Sequence, residues 1–136
     1  MKKTSVIRKE HFNSAHRLHN PNWSDEKNFS FYGKCNNPNF HGHNYDLEVT
    51  VTGITDEESG YLIDMKKLSN LIKNEVLDRF DHKNLNLDVL EFKNLNPTAE
   101  NISKVIYDKL RKQLDLKFEL KIKLYETERN IVVYPA

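Results

Sequence analysis

Two histidines separated by one glycine, His41-Gly42-His43, are the first residues whose types and spacing could do chemistry. They share the parity of Tyr45, which begins an alternation of apolar and polar side chains, so both rings would face inward if the strand reached back to them. Two imidazoles on one face can share a metal ion, and nitrogen ligands suit zinc. The alternative is a pair of loop histidines on either side of a turn glycine.

A third histidine could complete such a site. His16 follows the first predicted strand and shares the parity of Phe12 and Ser14, which places it near the other two rings if the strands pair. Three histidines match a catalytic zinc with an open fourth position better than a closed structural site. His11 has the opposite parity and His19 lies in a predicted loop, so both rank behind His16.

The single cysteine, Cys35, lies in a polar, turn-rich segment shortly before His41. A thiol near a zinc site can have a lowered pKa and act as a base or nucleophile. The alternative is a small buried apolar residue, the usual role of a free cysteine. Cys35 is therefore a candidate catalytic thiolate.

Two acidic positions also have both a functional and a structural interpretation. Asp81 and His82 end a predicted helix, either as a carboxylate that orients an imidazole or as a surface pair at the helix terminus. Glu126 has the inward parity of a strand that contains Leu124, and an inward carboxylate needs a partner such as the N–H groups of a bound ring. Alternatively, the strand ends at Tyr125 and Glu126 begins the turn.

The elements that must position these residues have the order β-β-α-α-β-β. The strands are predicted at residues 5–12, 43–52, 118–125 and 131–134. Helices begin after Asp64 and Thr98, both typical N-cap residues, while residues 20–39 are predicted as a long loop and residues 81–96 as irregular. Two hairpins around two helices predict an α+β fold, with one antiparallel sheet and both helices on one face. Its open edges favour association between copies.

Composition narrows the class of protein. The 136 residues carry 21 basic and 20 acidic side chains, a balance that argues against nucleic acid or an anionic membrane as the main partner. One cysteine excludes an internal disulfide and indicates a reducing compartment, and no apolar run approaches the roughly 20 residues that span a bilayer. The sequence predicts one cytoplasmic domain over residues 1–136.

Several segments together resemble the family of 6-pyruvoyltetrahydropterin synthase and 6-carboxytetrahydropterin synthase over nearly the whole chain. The most specific is Gly33-Lys34-Cys35-Asn36-Asn37-Pro38-Asn39, followed by His41-Gly42-His43-Asn44-Tyr45. The other matching segments are residues 12–18, 81–86, 98–101, 125–127 and 130–134. Such a set in this order is not expected by chance.

The resemblance implies an architecture and a metal. The family fold is the tunnelling fold (T-fold), in which trimers close a barrel of strands and two trimers stack into a homohexamer. Active sites lie between subunits, which would cover the open edges of the sheet. By resemblance, His16, His41 and His43 bind Zn²⁺.

The resemblance also implies roles in catalysis. Cys35 would be the proton-abstracting thiolate, with Asp81 and His82 as its relay from a neighbouring subunit. Glu126 would anchor the pterin ring and would also be a catalytic residue. The residues expected to line the substrate pocket are Glu126, Thr98 and Glu100.

The implied reaction, of the carbon–oxygen lyase type, converts 7,8-dihydroneopterin triphosphate to 6-pyruvoyltetrahydropterin with loss of triphosphate, in tetrahydrobiopterin biosynthesis. The nearest alternative is 6-carboxytetrahydropterin synthase of queuosine biosynthesis, which releases acetaldehyde and triphosphate from the same substrate. The spacing between Cys35 and His41 favours the pyruvoyl enzyme. A non-catalytic zinc module closed by Cys35 is a different class of protein, and a Cys-dependent hydrolase is a weaker one.

One residue and one short segment depart from the family pattern. Phe40 stands where a glycine is frequent, so the approach to the metal is expected to differ. Asn13-Ser14-Ala15 differs from the usual run of small residues before the first ligand. Neither departure removes a ligand or a catalytic side chain.

Overall fold

The computed structural model describes residues 2–136, and its five strands form one sheet in the order β3-β1-β2-β4-β5. The strands are Lys3–His16 (β1), His41–Ile54 (β2), Lys83–Asn84 (β3), Glu119–Tyr125 (β4) and Ile131–Tyr134 (β5). Neighbouring strands are antiparallel except β3, which pairs with β1 in parallel through two residues. The predicted α+β fold is confirmed, with one short strand that the sequence pattern does not indicate.

Helical segments connect the strands. They are Asp25–Tyr32 (α1), Met65–Ile72 (α2), Asp78–Phe80 (α3), Leu85–Asp88 (α4) and Ala99–Arg111 (α5). Short 3₁₀ turns follow at Gly33–Asn36 and Leu90–Phe92, and a wide π turn, Lys73–Leu77, joins α2 to α3. The predicted N-caps are confirmed: Asp64 and Thr98 each accept a hydrogen bond from a backbone N–H in the first turn of their helix.

The predicted loop over residues 20–39 is wrong in its centre, where α1 forms. This helix has no apolar stripe facing the core, since Phe29 and Phe31 are 69% and 70% exposed. Polar contacts hold it instead: the Ser24 hydroxyl caps its first turn, and the buried Asn28 amide donates to the Asn20 carbonyl at 2.9 Å. Residues 81–96, predicted irregular, likewise contain β3, α4 and a 3₁₀ turn.

The core lies between one face of the sheet and the helices. The buried strand residues are Phe12, Tyr45, Leu47, Val49, Val51, Leu120, Ile122 and Leu124. The helices contribute Leu68, Ile72, Val76 and Phe80 from the α2–α3 segment and Ile102, Ile106 and Leu110 from α5. Both helices therefore cover the same face, as predicted. The opposite face of the sheet is polar and largely open, with Lys9, His11 and Asp46 exposed.

The wide turn between α2 and α3 matches the spacing of the core residues. Leu68, Ile72, Val76 and Phe80 recur every four residues, and all are completely buried. In a regular α-helix, which advances about 100° per residue, Leu68 and Phe80 would lie about 120° apart around the axis. The π turn holds an extra residue and reduces this drift, so the four side chains stay on the core face. No helix in residues 2–136 has the length and apolar character needed to cross a bilayer.

Candidate active site

The end of the β1–β2 ladder brings three histidines together. The two strands pair without interruption to the final pair, His16 opposite His41, with Ser14 opposite His43. The ligand nitrogens of His16, His41 and His43 all lie within 4.8 Å of one another. The three side chains predicted as metal ligands can therefore hold one metal ion. His11, by contrast, is exposed on the other side of β1.

Gly42 permits the close approach of the two strands at this point. It lies opposite Ala15, and a Cβ at Gly42 would be 3.3 Å from the carbonyl oxygen of Ser14. Such a contact is tight, so a side chain here would push the strands apart. The glycine between the two histidines thus favours the short distance from His16 to its neighbours.

The hydrogen bonds of His16 define which nitrogen is free. Its Nδ1 lies 2.8 Å from the Pro97 carbonyl oxygen, and because a carbonyl only accepts, Nδ1 carries the proton and donates. Among residues 2–136, the buried Nε2 of His16 and both ring nitrogens of His41 have no hydrogen-bond partner. Unpartnered buried nitrogens are costly, and an ion bound by the three rings would satisfy Nε2 of His16 and one of the two nitrogens of His41. An all-nitrogen set of three ligands fits zinc.

Burial keeps His16 and His41 in the protonation state that binds a metal. It lowers the pKa of His16 from 6.5 to about 4; the hydrogen bond to Pro97 opposes this, and the nearby His41 and His43 add to it. Burial also lowers the pKa of His41, with a further contribution from His43. At neutral pH both rings are therefore uncharged, which is the form that coordinates a metal.

Tyr45 lies directly behind the cluster and was not among the predicted site residues. Its side chain is completely buried and stacks on Phe12 at 4.9 Å, and its hydroxyl is 3.4 Å from Nδ1 of His16. Burial raises the pKa of Tyr45, and the charges of Glu126 and Cys35 raise it further, so the phenol stays protonated. The inward parity of Tyr45, two residues after His43, is the sequence signal that could have found it.

A cleft of about 470 Å³ brings together the three predicted substrate-binding residues. Glu126, Thr98 and Glu100 line it, along with Leu18 and Arg129. β4 ends at Tyr125, so Glu126 begins the turn, and its backbone N–H donates to the Asn130 carbonyl at 3.0 Å. The two interpretations of Glu126 are therefore compatible, since a residue at the start of the turn also faces a cleft.

Hydrogen bonds attach the turn that carries Cys35 to the residues after His16. The Leu18 N–H donates to the Cys35 carbonyl at 2.9 Å, and the Asn36 side-chain amide donates to the Leu18 carbonyl at 2.8 Å. Nε of Arg17 donates to the Asn36 carbonyl at 2.9 Å. Cys35 is partly buried and lies outside the hydrophobic core. It is therefore not the small buried apolar residue of the alternative interpretation.

Asp81 and His82 form a fixed pair at the edge of β1. Oδ1 of Asp81 accepts the Asn13 N–H at 2.8 Å, and Oδ2 lies 2.9 Å from Nδ1 of His82. His82 has a left-handed backbone, φ 60°, which is uncommon for a residue other than glycine. The Asn13 N–H holds the pKa of Asp81 below its usual range, and His82 acts in the same direction. The His82 side chain is 83% exposed, and neither residue lines the Glu126 cleft.

Phe40 also has a left-handed backbone, with φ 69°, immediately before the first histidine of β2. Glycine adopts this conformation without a steric cost, whereas other residues do not. The backbone at Phe40 is therefore one that favours glycine, the residue that the resemblance leads us to expect there, and a phenylalanine in this conformation is strained.

Comparisons with known proteins agree with the sequence resemblance. The family model described as 6-pyruvoyl tetrahydropterin synthase matches residues 5–136. The 6-pyruvoyl tetrahydrobiopterin synthase of Homo sapiens is 43% identical over 129 residues, 95% of this chain and 89% of that protein. The protein of the same name from Dictyostelium discoideum is 43% identical over 135 residues, 98% of both chains.

A solved structure extends the agreement to three dimensions. The Caenorhabditis elegans 6-pyruvoyl tetrahydropterin synthase matches with a TM-score of 0.93 and 38% identity, covering 98% of this chain and 96% of that chain. This match confirms the predicted tunnelling fold. The chain is therefore a member of the 6-pyruvoyl tetrahydropterin synthase family of enzymes.

Proposed function

We propose that this chain is a zinc-dependent 6-pyruvoyltetrahydropterin synthase, a lyase that converts 7,8-dihydroneopterin triphosphate to 6-pyruvoyltetrahydropterin and releases triphosphate. The observation that carries the proposal is the cluster of His16, His41 and His43, whose buried nitrogens include several without partners. The chain that carries this cluster is 43% identical to the human protein named 6-pyruvoyl tetrahydrobiopterin synthase.

The three histidines would hold Zn²⁺, which when bound supplies a Lewis acid to the oxygens of the substrate side chain. The hydrogen bond from His16 to Pro97 fixes the ring and directs Nε2 away from the protein backbone. Tyr45 packs behind His16 and keeps water from that side. These contacts orient the ligands before any substrate arrives.

Cys35 would accept a proton from a side-chain carbon of the substrate. Its position is held by the hydrogen bonds that join Leu18 and Asn36, since these attach the Cys35 turn to the chain beside His16. Asp81 and His82 would relay the proton. Their exposure at the edge of β1 favours a role in the site of a neighbouring subunit.

Glu126 would bind the pterin ring. A pterin presents adjacent N–H donors on its aminopyrimidinone edge, and the two oxygens of a carboxylate can accept both. Thr98 and Glu100 line the same cleft and add further acceptors. The cleft thus offers the polar groups that this ring needs.

Assembly and cellular context belong to the same proposal. Within residues 2–136, β5 is an edge strand, and β3 covers only two residues of the other edge, so association into a homohexamer of two trimers would cover exposed strands. The open polar face of the sheet would then line the tunnel. We propose that the single domain acts in the cytoplasm, which fits its lone cysteine.

Mass spectrometry of the product tests the reaction. Zinc-loaded protein is incubated anaerobically with dihydroneopterin triphosphate, and Cys35→Ala protein with its zinc content measured serves as the matched control. A pyruvoyl side chain supports the proposal, whereas a carboxylate with acetaldehyde release assigns the chain to the 6-carboxytetrahydropterin branch. Unchanged substrate contradicts both reactions.

A further inference from the structure

We propose that a second cleft, next to the metal cluster, binds the triphosphate group of the substrate; this inference rests on the function proposed above. The cleft has a volume of about 700 Å³. Three of its lining residues adjoin the cluster: Arg17 follows His16, Phe40 precedes His41, and Pro97 accepts the hydrogen bond from His16. A phosphate chain that extends from a substrate at the cluster therefore has a cavity within reach.

The lining of this triphosphate cleft is cationic and rich in amides. Its basic or ionisable residues are Arg17, His19 and Lys93, and its asparagines are Asn20, Asn22, Asn86, Asn94 and Asn96. In the part of the chain that the structure describes, no Asp or Glu lines it, although acidic residues number 20 in the sequence. The cleft at Glu126, in contrast, has two carboxylates. The two clefts thus suit opposite ends of one substrate, an N–H-rich ring and a polyanion.

Arg17 is anchored in a way that leaves its terminal nitrogens available. Its Nε donates to the Asn36 carbonyl at 2.9 Å, which fixes the plane of the guanidinium. Neither terminal nitrogen has a hydrogen-bond or ion-pair partner among residues 2–136. A fixed guanidinium with a free pair of N–H groups is the arrangement that binds two phosphate oxygens.

His19 contributes a second oriented donor. The Asn36 side-chain nitrogen donates one hydrogen to the Leu18 carbonyl at 2.8 Å and lies 3.0 Å from Nδ1 of His19. Because an amide nitrogen can only donate, Nδ1 accepts, and the ring proton is on Nε2. A single residue, Asn36, therefore fixes both Arg17 and His19, through its carbonyl and its side chain respectively.

Lys93 supplies a charge that can be changed without disturbing this network. It follows the 3₁₀ turn at Leu90–Phe92, and within residues 2–136 its ammonium group forms no ion pair with a carboxylate. Its side chain is exposed, so a substitution leaves the core intact. Lys93 is therefore the position at which to test the cleft.

The test measures binding of inorganic triphosphate to the zinc-free full chain by isothermal titration calorimetry. Without metal and pterin, binding reports on the cleft alone. We expect Lys93→Glu to weaken the affinity about tenfold at low salt, since it reverses a charge beside a highly charged ligand. Lys67→Glu, a charge reversal at an exposed lysine of α2 outside the cleft, is the matched control and should bind as the unchanged chain does. Circular dichroism checks that both variants are folded.

The outcomes separate this inference from the proposed function. No binding by the unchanged chain, or equal affinities for Lys93→Glu and Lys67→Glu, overturns the assignment of the cleft even if the enzyme converts its substrate. Weaker triphosphate binding in Lys93→Glu but not in Lys67→Glu supports the assignment of the cleft, even if the enzyme converts no pterin. With an active enzyme, the same variant should also raise the KM for dihydroneopterin triphosphate.

Discussion

Metal-free protein is expected to lose stability as the pH falls from 7 to 4, and His16 should account for a defined part of the loss. In the unfolded chain the ring titrates near the ordinary pKa of 6.5, whereas burial lowers the pKa in the folded protein to about 4. Between these values the unfolded chain binds a proton that the folded chain excludes, so acid favours unfolding. The stabilisation is complete above pH 6.5 and is lost as the pH falls through 6.5 towards 4.

The size of the effect follows from the difference between the two pKa values of His16. A ring that titrates at 6.5 when unfolded and at about 4 when folded loses about 3 kcal/mol of stability between neutral pH and pH 4. His16 is only 1% exposed, so solvent screening removes little of this. His41, whose pKa burial also lowers, adds to the loss in the same direction. Such a change is a large part of the stability of an ordinary domain, about 5–15 kcal/mol.

The assay is urea unfolding in the presence of a chelator at several pH values, with the protein concentration held constant because assembly contributes to stability. His16→Asn is the matched variant, since its amide nitrogen can still donate to the Pro97 carbonyl but does not titrate. Between pH 7 and pH 4, His16→Asn should lose about 3 kcal/mol less than the unchanged chain. An exposed-site control, His11→Asn, should keep the original dependence. Parallel curves for the unchanged chain and His16→Asn would refute the reasoning from burial.

Three further predictions concern the remaining site residues. Cys35→Ala should retain its zinc but lose turnover by about 100-fold or more, as expected for a lost general base; loss of zinc from the purified variant would instead identify the thiolate as a fourth ligand. Glu126→Gln should remain folded and raise the KM about tenfold, because its amide turns a donor towards the N–H edge of the ring; an unchanged KM argues against the role of Glu126. Phe40→Val should destabilise the protein by about 1–2 kcal/mol in urea unfolding, while Phe40→Asn costs less, because β-branched residues tolerate a positive φ poorly. Equal stabilities would show that the left-handed backbone at Phe40 carries no strain.

The position of the three-histidine cluster could be predicted because strand parity persists along an uninterrupted ladder. His16 is in phase with Phe12 and lies opposite His41, and no bulge shifts the register between them. Strand parity therefore predicts which way the His16 side chain points, several residues away from the core residue Phe12. The same argument indicates which side Tyr45 faces, although it does not indicate its contact with His16.

The parts that the sequence pattern does not indicate depend on contacts between distant residues or on unusual backbone conformations. Pro97 accepts from His16 across 81 residues of sequence, so no local pattern predicts which ring nitrogen is free. Asp81 accepts a hydrogen bond from the Asn13 N–H across 68 residues of sequence, and the left-handed backbone of His82 likewise leaves no signal in the sequence. Helix α1 is held by polar side chains such as Asn28, which leave no periodic apolar signal. These features depend on contacts between individual atoms, which the periodicity of apolar residues does not indicate.

The wide turn at Lys73–Leu77 makes this segment respond differently to lost and to added residues, because it already holds one residue more than a regular helix needs. After removal of one residue, a regular helix would place Leu68 and Phe80 only about 20° apart around its axis. Phe80 would then stay in the core, and Asp81 would stay near the Asn13 N–H group from which it accepts a hydrogen bond. One inserted residue would instead rotate Phe80 by about 100° away from the core. Deletion of the exposed Lys73 or Asn74 should therefore be tolerated, whereas an insertion beside them should inactivate the protein.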